Sequence, residues 1–489
     1  MKKGVLTGLL IFSGFLIWGQ TISDALRYST VEFGATGRAF GAANSFSALG
    51  ADFSLISANP AGLAAFRKSE FVITPGFFSE KTDADLLNGG LEPYDENKSN
   101  FNLSNLGLVL RGRPNASHWR TANFSIGLNR LATFHQEFYF NGATRGSITD
   151  RWLELATGLS ANELDGFEAG VAYDAGALIP SGIEGEYFTD FSQFSDIPVF
   201  KSQRYTSSGS INEFTIGMAG NYEDRIYAGI ILGVPFVNYN EEKVYEETDE
   251  TDAIPAFNEL EYTETLRTNG AGINAKAGII YRVAQPVRLG LAVHTPTRLK
   301  LEDNFTTKLV YDYTDQNNDG PVEANSPDGN FEYNLITPWR FIGSAGFILG
   351  KNGFISAEAE WVDYSSASFN FRNASSDDLD YERSLNRQIA ETYKGAVNLR
   401  FGGELVWKVF RLRGGVALNG SPYAGESDFT PVYSAGVGLR EERFFMDFGY
   451  RWSNFEEGYY PYRTNSARTQ FVQNQVSTDN FVLTFGFKM

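Results

Sequence analysis

The chain has 489 residues, and 59 acidic against 41 basic side chains give it a formal net charge of −18 at pH 7. This acidic balance argues against nucleic acid as a partner. The absence of cysteine excludes disulfides, thiolate metal sites and a lipid anchor on an N-terminal cysteine. With 24 Tyr, 41 Phe and 50 Gly, the composition favours strands and turns over long helices.

Residues 1–19 are predicted to form a signal peptide. Two lysines precede an apolar stretch from Gly4 to Trp18, and Gly19 offers a small residue for cleavage. We therefore expect an exported protein. No later stretch approaches 18 consecutive apolar residues, which excludes a helical membrane protein.

The segment from Gly34 to Phe66 is poor in large side chains, because Gly, Ala and Ser make up more than half of it. Interspersed Phe, Leu and Ile argue against a flexible linker. The segment is also too short and too polar to span a bilayer as a helix.

The remaining chain, residues 67–489, alternates apolar and small or polar side chains in many short runs. Leu289, Leu291 and Val293 share one predicted strand face, for example, while Arg288 and His294 share the other. Tight turns are predicted near residues 114–118, 223–224, 284–286, 351–353, 408–410 and 441–442. Longer polar connections are predicted at 81–100, 142–202, 247–259, 313–330, 372–393, 422–430 and 454–468. Short turns that alternate with long loops, and an apolar aromatic face, predict an all-β, 14-stranded antiparallel transmembrane β-barrel rather than a β-sandwich.

A barrel of this size encloses a lumen that would leak unless something fills it. We predict that residues 20–66 form an N-terminal plug, or hatch, of short helices, in which Arg38 and Asp52 pair with charges on the inner wall. Inward charges are predicted at Glu358, Glu360, Arg400, Glu404, Arg411, Arg413, Arg440, Asp447 and Arg451. We interpret these charges as cross-strand pairs that stabilise the wall.

Two motifs in the plug segment, Gly37 to Ala39 and Asn59 to Ala61, resemble the hatch of the FadL-type outer-membrane transporters of hydrophobic compounds. The stretches 127–138 and 290–296 also resemble strands of that family. The nearest branch is the one in Bacteroidetes that is often labelled hemin receptor. The resemblance implies diffusion: a ligand is caught among extracellular loops, enters a pocket above the hatch, and leaves sideways where the third strand kinks. The residues assigned to the plug and to gating are Arg38, Asn59, Pro60, Ala61 and Gly127, with Gly127 as the expected kink.

The long segment 142–202 carries the best candidates for ligand capture. Trp152, Leu155 and Leu159 recur at roughly helical spacing, and they either pack over the barrel mouth or line a hydrophobic entry groove. The complete set of predicted ligand-binding residues is Phe134, Phe138, Trp152, Leu155, Leu159 and His294.

Other chemistry has weaker support in the sequence. His294 is a candidate axial ligand for haem, and His135 has Glu137 on the same strand face, although no serine is marked as a nucleophile, so we predict no catalytic residues. Asp315, Asn317 and Asp319 match the first half of a calcium loop, but Ser326 stands where the bidentate Glu belongs. We expect no cofactor, with Ca²⁺ in this loop as the open alternative.

The sequence thus predicts a channel in the outer membrane of a Gram-negative bacterium for passive uptake of hydrophobic molecules such as long-chain fatty acids. The alternative is a non-transporting partner subunit of an outer-membrane protein-export or barrel-assembly complex. The expected partners are a hydrophobic ligand or lipid, the membrane and, under the alternative, other outer-membrane proteins.

Overall fold

The computed structural model describes residues 21–32, 34–115, 118–314, 319–371 and 375–489. The predicted signal peptide lies outside these residues and stays a prediction. Among the described residues, no helix combines the length and the apolar character needed to cross a bilayer.

Fourteen antiparallel strands close into a barrel, as the sequence predicts. The barrel closes where the first strand pairs with the last, from Glu70 opposite Lys488 to Leu86 opposite Val472. The strands are β1 Glu70–Leu86, β2 Tyr94–Gly112, β3 Trp119–Thr133 continued as Gln136–Arg145, β4 Pro198–Tyr222, β5 Ile226–Thr248, β6 Phe257–Arg282, β7 Val287–His294 continued as Arg298–Thr314, β8 Asp319–Asn325, Gly329–Ile336 and Arg340–Ile348, β9 Gly353–Asp363 continued as Ser368–Phe371, β10 Gly395–Trp407, β11 Phe410–Gly420, β12 Phe429–Arg440, β13 Phe444–Tyr459 and β14 Val472–Lys488.

The predicted tight turns all fall between consecutive strands, at the end that we assign to the periplasm. Several predicted loops are shorter than expected. The connection predicted at 81–100 is reduced to 87–93, because β1 and β2 continue past the apolar belt as a paired polar ribbon. Polar residues are no obstacle to a strand there, since water solvates the outer face, while Thr82, Ala84 and Leu86 of the inner face are buried.

The long loops contain helices. The β3–β4 connection holds α3 Thr149–Ala156, a 3-10 turn Ala161–Glu163, α4 Ala169–Asp174 and a small hairpin of Ile179–Pro180 with Tyr187–Phe188. The β9–β10 connection holds α5 Ser376–Thr392, and a 3-10 turn Tyr364–Ser366 interrupts β9. We call residues 146–197 the cap, because they pack into the mouth of the barrel.

The outer wall is apolar around the membrane-facing belt. Leu232, Leu291 and Leu405 expose 57%, 65% and 62% of their surface there. Their strand neighbours Ile231, Ala292 and Glu404 are buried inside. Because lipid rather than water covers such a surface, the fold is that of an outer-membrane β-barrel.

The interior is packed in three tiers. The periplasmic tier joins the plug residues 34–66 to the lower wall. The middle tier joins the first helix, α1 Ile22–Ser29, to α5 and the inner faces of seven strands. The extracellular tier is formed by the cap and the upper strands. The described N-terminal segment therefore lies inside the barrel, as a plug would.

The position of the apolar belt can be tested with arginine substitutions at two depths in the membrane. Ile226 and Leu232 face outward on β5, at its periplasmic start and about half the height of the apolar belt above it. We expect Leu232→Arg to lower the free energy of unfolding by about 2–4 kcal/mol and Ile226→Arg by about 0–1 kcal/mol. Urea-induced unfolding in lipid vesicles measures both, and equal losses at the two depths would contradict the assigned belt.

Candidate functional site: plug, cap and wall gap

The plug is a chain of short helices whose ends are capped by its own side chains. Thr36 Oγ1 accepts from the backbone N–H of Ala39 at the start of α2, Gly37–Gly41, and donates to Asp52 Oδ1 at 2.8 Å. Asp52 in turn accepts from the Ser54 N–H at 3.0 Å, at the start of the 3-10 turn Phe53–Ile56. The prediction that Asp52 pairs with a wall charge is therefore wrong, because this carboxylate is used inside the plug.

Arg38 fastens the plug to the wall, as predicted. Its Nε lies 3.2 Å from Glu404 on β10, and its guanidinium stacks over the Phe46 ring at 4.8 Å. Burial disfavours the charged guanidinium, but the carboxylates of Glu404, Asp52 and Asp447 together outweigh burial and raise the pKa of Arg38 above its ordinary value. Arg38 therefore stays charged inside the barrel.

The predicted inward charges extend this contact into a buried network on the wall. Arg413 bridges Glu404 at 2.8 Å and Asp447 at 2.7 Å, and Arg440 adds a second contact to Asp447 at 3.1 Å. On the other side, Arg400 bridges Glu358 and Glu360. Arg451 reaches Glu32 of the plug at 3.6 Å. Arg411 departs from the expectation, since its guanidinium donates to the carbonyls of Lys408 and Phe410 at the turn.

The stretch Asn59, Pro60 and Ala61 is a capped turn pressed against the wall. Asn59 is fully buried; its Oδ1 accepts from the Ala61 N–H at 3.1 Å and its Nδ2 donates to the Ser47 carbonyl at 2.9 Å. Pro60 begins the 3-10 turn Pro60–Ala65. A Cβ at Gly278 of β6 would overlap Asn59 Oδ1. Glycine at this position of the wall therefore leaves the space that the Asn59 side chain occupies.

Gly127 serves the same purpose on β3. The strand runs through it in regular register with β2 and β4, so the predicted kink is not there. A Cβ at Gly127 would overlap the Phe53 ring of the plug. The missing side chain thus admits a plug ring rather than a bend.

The bend of β3 lies higher, at Phe134 and His135, where the strand is interrupted. The Phe134 N–H donates to the Gly209 carbonyl of β4 at 3.1 Å, and Gly209 has φ +128°, a conformation that favours glycine. Beyond the bend, the Phe138 ring lies 5.0 Å from the Tyr459 ring of β13, although β14, β1 and β2 lie between these two strands in the wall. The upper half of β3 therefore turns into the lumen.

This bend leaves a gap in the pairing of the wall. The β2–β3 ladder ends at Asn105 opposite Asn129, although all residues of both strands above that pair are described. Above it, β2 pairs only with β1, and β3 only with β4. Higher up, the ion pair Lys98–Glu137 joins the two strands again at 2.9 Å. We call the stretch between these two contacts the wall gap.

The plug runs along the lower edge of the wall gap. The Glu32 N–H donates to the Leu131 carbonyl of β3 at 2.7 Å, and Ser104 Oγ of β2 donates to the Ala35 carbonyl at 3.2 Å. Gly34 lies so close to both strands that a Cβ would meet the carbonyls of Arg130 at 2.5 Å and Ser104 at 2.8 Å. The plug backbone thus replaces part of the lost pairing.

The predicted ligand-binding residues do not form one site. Phe138, Trp152 and Leu155 meet in the extracellular tier, where Trp152 is fully buried against the Tyr262 ring at 5.4 Å. Phe134 packs in the middle tier against Tyr28 of α1.

Leu159 and His294 lie apart from these clusters. Leu159 is partly exposed in the cap, and its carbonyl accepts from Tyr187. His294 is buried beside the plug, with Nε2 at 2.8 Å from the Ala58 carbonyl. This contact engages the nitrogen that haem ligation would most simply use.

The cap packs over the barrel mouth and is tied down by polar contacts. The Ile148 N–H donates to buried Glu247 of β5 at 2.9 Å, and Arg151 pairs with Glu168 across the cap. Glu154 accepts the N–H groups of residues 465–467 in the β13–β14 loop at 2.6–3.2 Å. Burial opposes this charge, but these three hydrogen bonds and a fourth from the Ser466 hydroxyl at 2.7 Å prevail and lower the pKa of Glu154.

Above the plug, where the resemblance implies a ligand pocket, the described residues of the middle and extracellular tiers form two buried apolar clusters. A cavity of about 270 Å³ lies at the periplasmic face of the plug, beside Arg38, Leu49 and Glu404. Another of about 200 Å³ lies in the cap, beside Tyr173, Ile183 and Tyr187. Both are smaller than typical sites for drug-sized ligands, which start at about 300 Å³.

The remaining candidates are the His135–Glu137 pair and the predicted calcium loop. His135 Nδ1 contacts Thr133 Oγ1 at 3.2 Å, while Glu137 pairs with Lys98 and Arg204. The calcium candidates Asp315 and Asn317, and the side chain of Asp319, lie outside the described residues. Within the described residues, no group of three His, Cys, Asp or Glu side chains is placed to hold a metal.

Several solved structures share this architecture. The chain aligns with a Pseudomonas aeruginosa FadL homologue at a TM-score of 0.52 and 13% identity, covering 93% of this chain and 98% of that one. This is the FadL fold. The Pseudomonas putida toluene transporter TodX shares the FadL fold at a TM-score of 0.51 and 11% identity, covering 94% and 99%. A deltaS2 mutant of the TodX monoaromatic hydrocarbon channel gives 0.54 and 10%, with the same coverage.

No family model and no curated protein matches the chain. The resemblance inferred from the plug motifs is thus confirmed at the level of the fold. The likeness to the branch labelled hemin receptor stays a prediction.

The contact between Asn59 and the wall can be tested by replacing Gly278, the wall glycine that Asn59 packs against. We expect Gly278→Ala to push Asn59 and the Pro60–Ala65 turn off the wall, lowering stability by about 1–3 kcal/mol and raising single-channel conductance in planar bilayers. Gly343→Ala is the matched control, because a Cβ there meets only Leu291 at 3.9 Å. Equal conductance of the two variants would contradict the proposed packing of Asn59 against Gly278.

The contact between the cap and the β13–β14 loop should depend on pH. Because the folded state lowers the pKa of Glu154, its contribution is present above the pKa of a free glutamate and is lost as pH falls through the lowered value. We expect amide exchange at residues 465–467, corrected for its intrinsic pH dependence, to lose protection in that acidic range. In Glu154→Gln, protection should be weak at every pH.

Glu163→Gln provides the control for this measurement, since Glu163 caps a different turn of the cap through Ser160. Exchange at 465–467 should match the wild type in this variant. Unchanged protection in Glu154→Gln would show that other contacts hold the two loops together.

Proposed function

We propose that the protein is an outer-membrane channel of a Gram-negative bacterium for passive uptake of hydrophobic small molecules, such as long-chain fatty acids, with lateral exit at the wall gap. The observation that carries the proposal is the end of the β2–β3 ladder at Asn105 and Asn129 in an otherwise closed barrel. A barrel that served only as a rigid wall would have no reason to give up backbone pairing there.

The charges of the lower lumen favour a lateral route over a straight one. Below the wall gap, the path to the periplasm is occupied by the plug and by the buried ion pairs around Glu404 and Asp447. An apolar solute gains about 25 cal/mol for each Å² of apolar surface that leaves water. It would forfeit this gain among charges and keep it by passing between β2 and β3 into lipid.

Entry requires the cap to move. The cap fills the extracellular mouth, but several of its ties to the barrel are polar contacts near solvent, such as that between Glu154 and the β13–β14 loop. Such contacts exchange readily with water. Phe138, Trp152 and Leu155 would then offer an apolar first surface to the solute, as the sequence predicts.

The structural neighbours support the proposal by analogy. One of them, TodX, is a toluene transporter and a monoaromatic hydrocarbon channel, which is a non-enzymatic function. We infer that this chain also has no catalytic activity.

The alternative of a partner subunit is favoured by a different observation. The lumen is packed at all three levels, and the extracellular end exposes apolar side chains, among them Leu91 at 52%, Ile183 at 62% and Phe188 at 43%. A barrel that docks another outer-membrane protein would need such a surface and no open path.

Single cysteines test the exit, because the chain has none of its own. Phe101 lies on the β2 edge of the wall gap with 83% of its surface exposed, and Leu232 faces lipid elsewhere. We expect a lipid-soluble pyrene maleimide to reduce oleate uptake several-fold in cells that carry Phe101→Cys, because the label obstructs the exit. The same label on Leu232→Cys should leave uptake unchanged.

Uptake by each labelled variant is compared with uptake by the same variant without label, and both variants must show heat-modifiable mobility on gels. Equal uptake by labelled Phe101→Cys and labelled Leu232→Cys would exclude the lateral exit. If a deletion strain takes up a panel of apolar solutes as fast as the wild type, and the purified protein carries another outer-membrane protein, the partner role stands instead.

A further inference from the structure

Arg130 lies at the wall gap, directly above the last β2–β3 pair. Its neighbour Asn129 is fully buried and donates to Ser57 of the plug at 2.8 Å, so strand alternation turns Arg130 to the outer face. Its β4 partner is Asn212, and the next strand places the outward-facing Phe236 opposite Asn212. Arg130 therefore lies on the β3 edge of the exit, toward the membrane.

The guanidinium of Arg130 has no protein partner in the described part of the chain. Its Nε and Nη1 atoms are shielded from solvent and make no hydrogen bond there, and no described carboxylate oxygen lies within 4.0 Å. By contrast, Arg340, Arg400 and Arg413 of the inner wall each contact a carboxylate within 2.8 Å. Shielded polar groups normally find partners, and an unmatched guanidinium is costly.

The charged groups around Arg130 are already paired with each other. Glu32, whose backbone contacts β3 at Leu131, lies near Arg451, and Lys98 at the top of the gap pairs with Glu137. His135 contacts Thr133. The local ion pairs therefore leave the charge of Arg130 uncompensated.

The opposite edge of the wall gap is aromatic. Phe101 of β2 packs against Phe77 of β1 at 4.8 Å, and Phe77 lies 6.2 Å from Phe481 of β14. These rings form an outward-facing row that begins at the gap. A molecule between β2 and β3 thus meets a cation on one side and an apolar surface on the other.

We infer that Arg130 is a specificity-determining residue of the exit, which binds the carboxylate of an amphipathic acid while the apolar tail passes along Phe101. A carboxylate can accept two parallel N–H bonds from one guanidinium and neutralise its charge. A neutral hydrocarbon offers nothing to Arg130. This inference rests on the proposed function, since it concerns the same exit.

The role of Arg130 can be tested by comparing the uptake of a charged and a neutral solute in the wild type and in Arg130 variants. The solutes are radiolabelled oleate and the neutral 1-octadecene, which has the same chain length, and uptake is measured in a deletion strain that expresses the full chain. The wild type should favour oleate. Arg130→Met should reduce oleate uptake about tenfold, since it removes the charged hydrogen-bond donor that binds the carboxylate, with octadecene uptake unchanged. Arg130→Lys, which keeps the charge, should retain most of the preference.

The controls separate this inference from the function on which it rests. Wild-type cells that take up neither solute faster than the deletion strain would overturn the proposed channel. Wild-type uptake of both solutes without a preference for oleate, or equal loss of both in Arg130→Met, would overturn the role of Arg130 alone.

Two further measurements exclude other roles. Heat-modifiable mobility shows that each variant is folded, and Arg130→Gln replaces Arg130→Met if the latter is not. Native mass spectrometry of the purified protein reports bound lipid. A phosphate-bearing membrane lipid that is lost in Arg130→Met, with oleate uptake intact, would make Arg130 a lipid anchor and overturn the inference.

Discussion

Closure of the barrel is the constraint on which the rest of the structure depends. Within lipid, each backbone N–H and C=O needs a partner from the protein, and a sheet satisfies this only by pairing its last strand with its first. The pairing of β14 with β1 meets that need over the height of the wall. It also creates a wide lumen, so the chain must supply its own filling.

The filling is possible because, at each close contact, either the plug or the wall lacks a side chain. Gly37 of the plug lies against the backbone of Asp447, while Gly127 and Gly278 of the wall receive Phe53 and Asn59. Close approach of this kind brings backbone donors and buried charges within reach of each other. Glycine in the two partners therefore explains why a segment with so few large residues can be held firmly.

Local signals in the sequence identify the strands, the tight turns, the plug and most of the inward charges. The bend of β3 could not be found in this way, because Gly127 and Gly209 look alike in a strand pattern, and only the contacts with Phe53 or with Phe134 distinguish their purposes. The cap shows the same limit: the helical spacing of Trp152 and Leu155 is visible in the sequence, but their burial depends on Tyr262 and other distant strands. Arg130 carried no sequence signal, since its significance lies in a missing partner.

The order of the elements along the chain has a consequence for assembly. The plug precedes every strand, whereas the wall is complete only when the last strand reaches the first and the Met489 N–H meets the Ser69 carbonyl. Contacts between chain ends so distant in sequence form late, because closing a loop of this length is entropically slow. We therefore expect the plug to be enclosed by strands that gather around it, rather than threaded into a finished cylinder. An assembly catalyst that holds β1 open until β14 arrives would have to accommodate a partly built barrel with its contents already in place.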